Sequence, residues 1–177
     1  TMTDDNGEEY VGILGSGNLR PGMLYDIDLS VRTIADFANE DEADGSESKP
    51  YEIATAEQFY SLMLRCNLNK SNAHHRGYNN CHYKLVDDIE LNNEMPWMPI
   101  SYFSDGSLDG QNYRICGDIY LDNQFRTGLF RYIRNTVIKN LVLDLNVTFS
   151  RPNNHNEWFG LLTAEADDDS QIINCVN

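Results

Sequence analysis

The sequence predicts an all-β protein, a stacked β-solenoid (β-helix) with one capping α-helix. Three observations predict it. After residue 82 apolar residues alternate in short runs between turns rich in Gly, Asp and Asn, as strands do. A single segment carries a firm helical period. A short unit also recurs at offsets of 32 and 34 residues, and a unit that small buries its apolar face only by stacking on a neighbour.

Composition sets the bounds. The 177 residues are 41% hydrophobic and 11% aromatic, which is enough for a packed core and speaks against global disorder. Lys+Arg number 13 against 28 Asp+Glu, a net charge of −15. That balance argues against a nucleic-acid binder, which needs a basic footprint, and against a protein held on anionic lipid. No apolar run approaches the roughly 18–20 residues of a membrane span.

Residues 1–43 read as an N-terminal segment with a solenoid-like coil and an acidic linker. Gly12-Ile13-Leu14, followed by Leu24, Ile27, Leu29 and Val31, repeats the spacing of the later strands. A short helix starting near Ser30 or Thr33 is expected to close at Asp36-Phe37-Ala38. Gly45 and Pro50 punctuate the approach to the one firm helix. There Thr55 is a good N-cap, and Gln58 three residues on completes a capping box. Phe59, Leu62, Met63 and Cys66 recur at i, i+3, i+4 and i+7, one apolar face over residues 55–66. Laid across the first coil, Phe59, Leu62 and Met63 would cover an end that otherwise exposes apolar side chains and unpaired strand edges.

Residues 67–82 form a polar, Asn-rich loop. Strands then follow at Tyr83-Lys84-Leu85-Val86, Asp88-Ile89-Glu90-Leu91, Tyr113-Arg114-Ile115, Asp118-Ile119-Tyr120-Leu121 and 137–147. Gly128-Leu129-Phe130 with Ile138-Lys139-Asn140-Leu141 is one copy of the unit. Gly160-Leu161-Leu162 with Ile172-Ile173-Asn174-Cys175 is the next. Leu85, Ile89, Leu91, Leu108, Ile115, Ile119, Leu121, Phe130, Ile133, Ile138, Leu141, Leu143, Leu145, Leu161, Leu162, Ile172 and Cys175 are expected to face one continuous interior. The chain closes on Ile172, Ile173, Cys175 and Val176, an apolar strand and a candidate assembly edge.

The four cysteines, Cys66, Cys81, Cys116 and Cys175, include no CxxC, which excludes a zinc ribbon or a thioredoxin-type motif. Cys66 and Cys81, 15 positions apart across the polar loop, are the candidate disulfide in an oxidising compartment; four buried thiols are the alternative. Asn69-Lys70-Ser71 and Asn146-Val147-Thr148 match the glycosylation pattern, but 20 Asn make chance matches common.

Six motifs in order resemble a bacterial surface-protein module with GLUG-type repeats. They are Pro50-Tyr51-Glu52-Ile53 with Thr55-Ala56-Glu57-Gln58, Tyr83 to Leu91, Trp97-Met98-Pro99-Ile100, Leu108 to Ile115, Gly128 to Leu141, and Gly160 to Cys175. The resemblance covers residues 44–177. It implies a right-handed parallel β-helix, an extracellular or cell-surface location, and a place in adhesin-like proteins or beside immunoglobulin A1 metallopeptidases. The chain departs from the pattern at Phe159 and Thr163, where the repeat has glycines.

Chemical motifs are sparse. Gly15-Ser16-Gly17-Asn18-Leu19-Arg20 lacks the strand–turn–helix setting of a dinucleotide site. His74, His75, His82 and His155 form no HExxH. Asp4 to Glu9, Glu40 to Gly45 and Asp167-Asp168-Asp169 are oxygen-rich and could offer ligands to Ca²⁺, yet none completes an EF-hand; acidic turns explain them better. Asp87, Asp88, Glu90, Asp105, Asp109, Asp118 and Asp122 lie mainly at turns and are not an evident acid–base pair. The sequence therefore favours a non-catalytic structural or adhesive module that meets neighbouring modules, or further copies of itself, through its ends. Alternatives are a head-to-tail subunit of a surface filament, a module binding glycans or a host surface with Tyr102, Tyr113, Tyr120, Tyr132 or Trp158 against sugar faces, and a polysaccharide-active β-helix drawing on those carboxylates.

Overall fold

The structure, a computed structural model, describes residues 2–3, 9–11, 32–68, 77–92, 97–121, 126–149, 158–167 and 169–177. The chain divides into two compact units, Thr1–Ala35 and Asp36–Asn177. In the first, β1 (Met2–Thr3), β2 (Glu9–Val11) and β3 (Arg32–Thr33) form an antiparallel sheet. Most of the coil expected over residues 10–31 lies outside the described residues, as do Asp4 to Glu8 and the Gly15–Arg20 motif.

The second unit begins on irregular chain and turns at residues 36–50. Its elements are β4 (Tyr51–Ile53), α1 (Ala56–Asn67), a 3₁₀ turn (Tyr78–Asn80), β5 (His82–Leu85), β6 (Ile89–Leu91), β7 (Phe103–Ser104), β8 (Ser107–Asp109), β9 (Arg114–Leu121), β10 (Arg126–Thr127), β11 (Phe130–Arg134), β12 (Val137–Lys139), β13 (Val142–Phe149), β14 (Trp158–Phe159), β15 (Thr163–Ala166) and β16 (Gln171–Ile173). Five strands pair in the order β16-β12-β8-β5-β4, three as β13-β9-β6, three as β15-β11-β7, and two as β10-β14. All these pairings are parallel.

The expected all-β right-handed parallel β-helix is corrected here. Several small parallel sheets and one helix make an α/β-like arrangement, and no closed solenoid is shown among the described residues. Two local causes are visible. Left-handed residues such as Asp105, Gln111, Asn112, Asn135, Asn140 and Asn174, with φ of 45° to 67°, end the ladders after a few residues. The units are also unequal: paired residues in the five-stranded sheet lie 32, 25, 30 and 34 positions apart, at Tyr51, Tyr83, Leu108, Ile138 and Ile172.

The helix forms where its period places it. Gln58 N–H donates to Thr55 Oγ1 at 3.3 Å, and Gln58 Oε1 accepts from Ala54 N–H at 2.7 Å. The capping box thus closes one residue further out than the usual pattern. Phe59, Leu62 and Met63 have no exposed surface. The Phe59 ring stacks on Trp97 at 4.9 Å, and the Asn67 amide holds the 99–101 loop through Pro99 C=O and Ser101 N–H. The shorter helix expected to close at residues 36–38 does not form. Ala38 N–H donates instead to Glu52 C=O, and the Phe37 ring packs on Tyr51, Tyr78 and Tyr83, so this stretch is drawn onto β4 as a strap.

Of the expected core, Leu85, Ile89, Leu91, Leu108, Ile115, Ile119, Leu121, Phe130, Ile133, Ile138, Leu141 and Leu143 are buried, whereas Leu145, Leu161, Leu162 and Cys175 are only half-buried. Ile172 is 49% exposed, although it stands in register with Ile138.

Candidate functional site

The five-stranded sheet has two edges, and they are finished differently. At β4 the edge residue is Glu52. Its C=O accepts from Ala38 N–H at 2.9 Å and its N–H donates to Asn39 Oδ1 at 2.8 Å. The Asn39 amide also donates to Pro50 C=O at 3.0 Å. One asparagine side chain and one backbone N–H therefore take the hydrogen bonds that a further strand would use.

The strap is anchored by Arg65, whose side chain is 7% exposed. Its guanidinium meets Glu40 at 2.7 Å and Asp36 at 3.0 Å, donates to the Tyr78 hydroxyl, and lies 4.7 Å from the centre of the Phe37 ring. Burial alone would lower the Arg65 pKa; the hydrogen bond and charge of Glu40, with Tyr78 and Asp36, outweigh it and raise it. Two acids of the sequence stretch 40–45 are thus engaged. Glu40 holds Arg65, and Asp44 Oδ1 accepts from Ser46 N–H.

At the other edge, β16 pairs with β12 and, among the described residues, with nothing beyond. Gln171 N–H donates to Thr136 C=O and Ile173 C=O accepts from Asn140 N–H. In a parallel ladder this alternation turns the N–H and C=O of Ile172, between them, to the far side. The side chains agree. The inward row Tyr51, Tyr83, Leu108, Ile138 is 2% exposed or less, and its last member Ile172 is half exposed because no further strand among the described residues stacks on it. Ile173 and Val176 are also exposed and Cys175 is half-buried; Phe159, on the edge strand β14, is exposed as well. Of the residues the sequence marked as an edge, Val176 bridges in parallel to Val142 of β13 in another sheet, whereas Ile172 and Ile173 lie on the β16 edge of the five-stranded sheet, with Cys175 between.

Along that sheet runs a feature the sequence reading passed over. Asn140 Nδ2 donates to Asp109 Oδ1 at 3.1 Å, and Asn174 Nδ2 donates to Asn140 Oδ1 at 3.0 Å. Asn135 to Asp105 and Asn146 to Asp118 repeat the step once each. An aspartate opens each ladder and an asparagine extends it. The signal was the spacing of Asp and Asn by 28 to 34 positions, hidden among turn residues. Burial would raise the Asp109 carboxyl, but Gln111 N–H, the Asn140 amide and Lys139 hold it below the ordinary carboxylate range. Outward charges alternate beside the ladder, with Lys84 to Glu52 at 2.8 Å and Lys139 to Asp109 at 3.2 Å.

The other sequence candidates are placed apart. Cys66 and Cys81 are both buried free thiols. Burial first, and the neighbouring Cys81 second, push the Cys66 thiol well above its ordinary range. Asp88 meets Arg114 at 3.7 Å; with Asp105, Asp109 and Asp118 in ladders, these carboxylates are distributed rather than gathered, while Asp122 lies outside the described residues. Tyr102 and Tyr132 stack on each other at 5.4 Å and 15°, covering one face of each ring. The Tyr132 hydroxyl donates to Asp167 at 2.9 Å. Tyr113 and Tyr120 are exposed singly, and the Trp158 side chain, Asn69, His74, His75, His155 and Asp168 lie outside the described residues. No group of three or more His, Cys, Asp or Glu able to hold a metal ion occurs among the described residues, and no helix there is long and apolar enough to cross a membrane.

No family model, curated protein or solved structure matches this chain.

Proposed function

We propose that residues 36–177 act as a non-catalytic structural or adhesive module of an extracellular or cell-surface protein, joined end-on to a neighbouring module through the β16 edge. The observation that carries this reading is the polarity of the five-stranded sheet. One edge is closed by a strap and a buried arginine, while the other leaves Ile172 and Ile173 exposed beside strand hydrogen-bonding groups. Monomeric proteins blunt such edges; an apolar, uncharged one is an attachment point. A head-to-tail filament is less favoured, because the second unit's β4 edge would first have to release Ala38 and Asn39.

The test is a tandem chain carrying a second copy of residues 144–177 after Asn177. The 34-residue length is the register between Ile138 and Ile172. The added copy is expected to raise the melting temperature by several degrees and to slow amide exchange at residues 171–176, because the edge becomes an interior strand. An unchanged melting temperature with parent-like exchange at those amides would overturn the end-on reading.

A further inference from the structure

We infer that Tyr102 and Tyr132 are an oxidative cross-linking site, where a haem-type peroxidase with a peroxide joins the two rings carbon to carbon and staples the start of β7 to β11. The inference stands on side-chain geometry and does not depend on the end-on reading.

The two rings are held as a reactive pair. Ile133 of β11 pairs with Phe103 of β7, so Tyr132 and Tyr102, each one position before, are neighbours across the ladder. Phe103 and Ile133 are fully buried, which turns the two tyrosines to the opposite face of the sheet. There the rings stack with centroids 5.4 Å apart and planes 15° from parallel. Phenoxyl radicals couple from such a face-to-face approach, and holding the rings there replaces a chance encounter by an intramolecular step. Tyr102 is 39% exposed and Tyr132 is half-buried, so an oxidant reaches the pair and the rings have room to turn edge to edge.

Oxidation of a phenol also needs a place for its proton, and Asp167 is that place. Tyr132 O–H donates to Asp167 Oδ2 at 2.9 Å. The carboxylate is held by its own backbone, whose N–H donates to Ile133 C=O at 3.0 Å, and Arg134 Nε lies 3.6 Å from the same oxygen. The hydrogen bond to Asp167 raises the Tyr132 pKa, so this ring reacts as a phenol with a fixed proton acceptor rather than as free phenolate. Each ring loses one electron and its hydroxyl proton. The two radicals join through the ring carbons ortho to the hydroxyls; the two ortho hydrogens then leave as protons, and two protons return to the oxygens. One C–C bond forms and two C–H bonds break. The two electrons and two protons released reduce one hydrogen peroxide to two waters.

The other described tyrosines are placed differently. Tyr51 has ring contacts to Tyr78 and Tyr83, but all three are buried. Tyr113 and Tyr120 are exposed with no second tyrosine ring against them among the described residues.

The test treats the intact chain, kept dilute, with a haem peroxidase and hydrogen peroxide. Mass spectrometry should show a monomer lighter by two hydrogens that carries dityrosine fluorescence. Trypsin should release fragment 85–114 linked to fragment 132–134, with the link at Tyr102 rather than Tyr113. Tyr102→Phe keeps the stack and should abolish the link. Asp167→Asn keeps an acceptor oxygen beside Tyr132 but takes a proton poorly, and should slow linkage about tenfold. The linked residues stand 30 positions apart, and closing that loop should raise the melting temperature by about 5–10 °C, as a cross-link that restricts the unfolded chain does. A link that survives Tyr102→Phe, that forms at Tyr113 or Tyr120, or that arises only between chains overturns the site, as does oxidation without any linked fragment. A rate unchanged by Asp167→Asn overturns Asp167 as the proton acceptor, and an unchanged melting temperature of the linked chain overturns the staple.

Discussion

At the scale of single residues, Arg65 decides how firmly the strap is held. It was legible only as the basic residue beside Cys66 in the helix, because its partners lie 25 and 29 positions away and no local period joins them. Arg65→Ala leaves Glu40 facing a buried space without its cation. Unfolding in urea should show a loss of about 3 kcal/mol, the low end for a broken buried pair, since Glu40 at 24% exposure can rehydrate. Arg65→Met with Glu40→Leu should recover most of it. Asp109 makes a second prediction. Its folded pKa is depressed, so its stabilising share is present above the unfolded value of about 3.9 and fades as pH falls through the lower folded value. Asp109→Asn should therefore flatten the acid limb of the stability–pH curve below about pH 4, leaving the neutral-to-basic limb unchanged in shape. The ladder asparagines were visible as residues but not as a ladder. An Asn in a turn is ordinary turn chemistry, and only the register shows that it donates to the layer before.

At the scale of elements, the helix was the most legible part of the chain. Its cap, its period and its buried face were all local. Phe59 touches Trp97, which lies 38 positions on, and that contact was not readable from the helix itself. Phe59→Ala should cost ~3–5 kcal/mol by chemical denaturation, as for a buried aromatic cut back to a methyl. Phe59→Asp should drive the chain into aggregates on size-exclusion chromatography; a monomer with unchanged melting would show that the helix face is not needed as cover. The expected helix ending at residues 36–38 failed for a reason of the opposite kind. A strand edge 13 to 14 positions further on offered Ala38 and Asn39 better hydrogen bonds than a short helix could supply.

For the whole molecule, strand positions and the apolar rows were legible because alternation is a local signal. How the strands divide among sheets was not. The repeat suggested one closed solenoid, whereas unequal offsets and left-handed corners leave several small parallel sheets. The polarity of the five-stranded sheet carries a mechanical consequence. Were the chain joined end-on as proposed, a pull between neighbours would pass across strands rather than along them. Tension then acts on one layer's hydrogen bonds at a time, in a peeling geometry, instead of shearing a whole ladder at once. Peeling starts where resistance is least, at the half-exposed Ile172 layer, and reaches last the end where Arg65 binds the strap. The chain would yield gradually from its open side and keep its helical end folded, a frayed rope with a knotted tip.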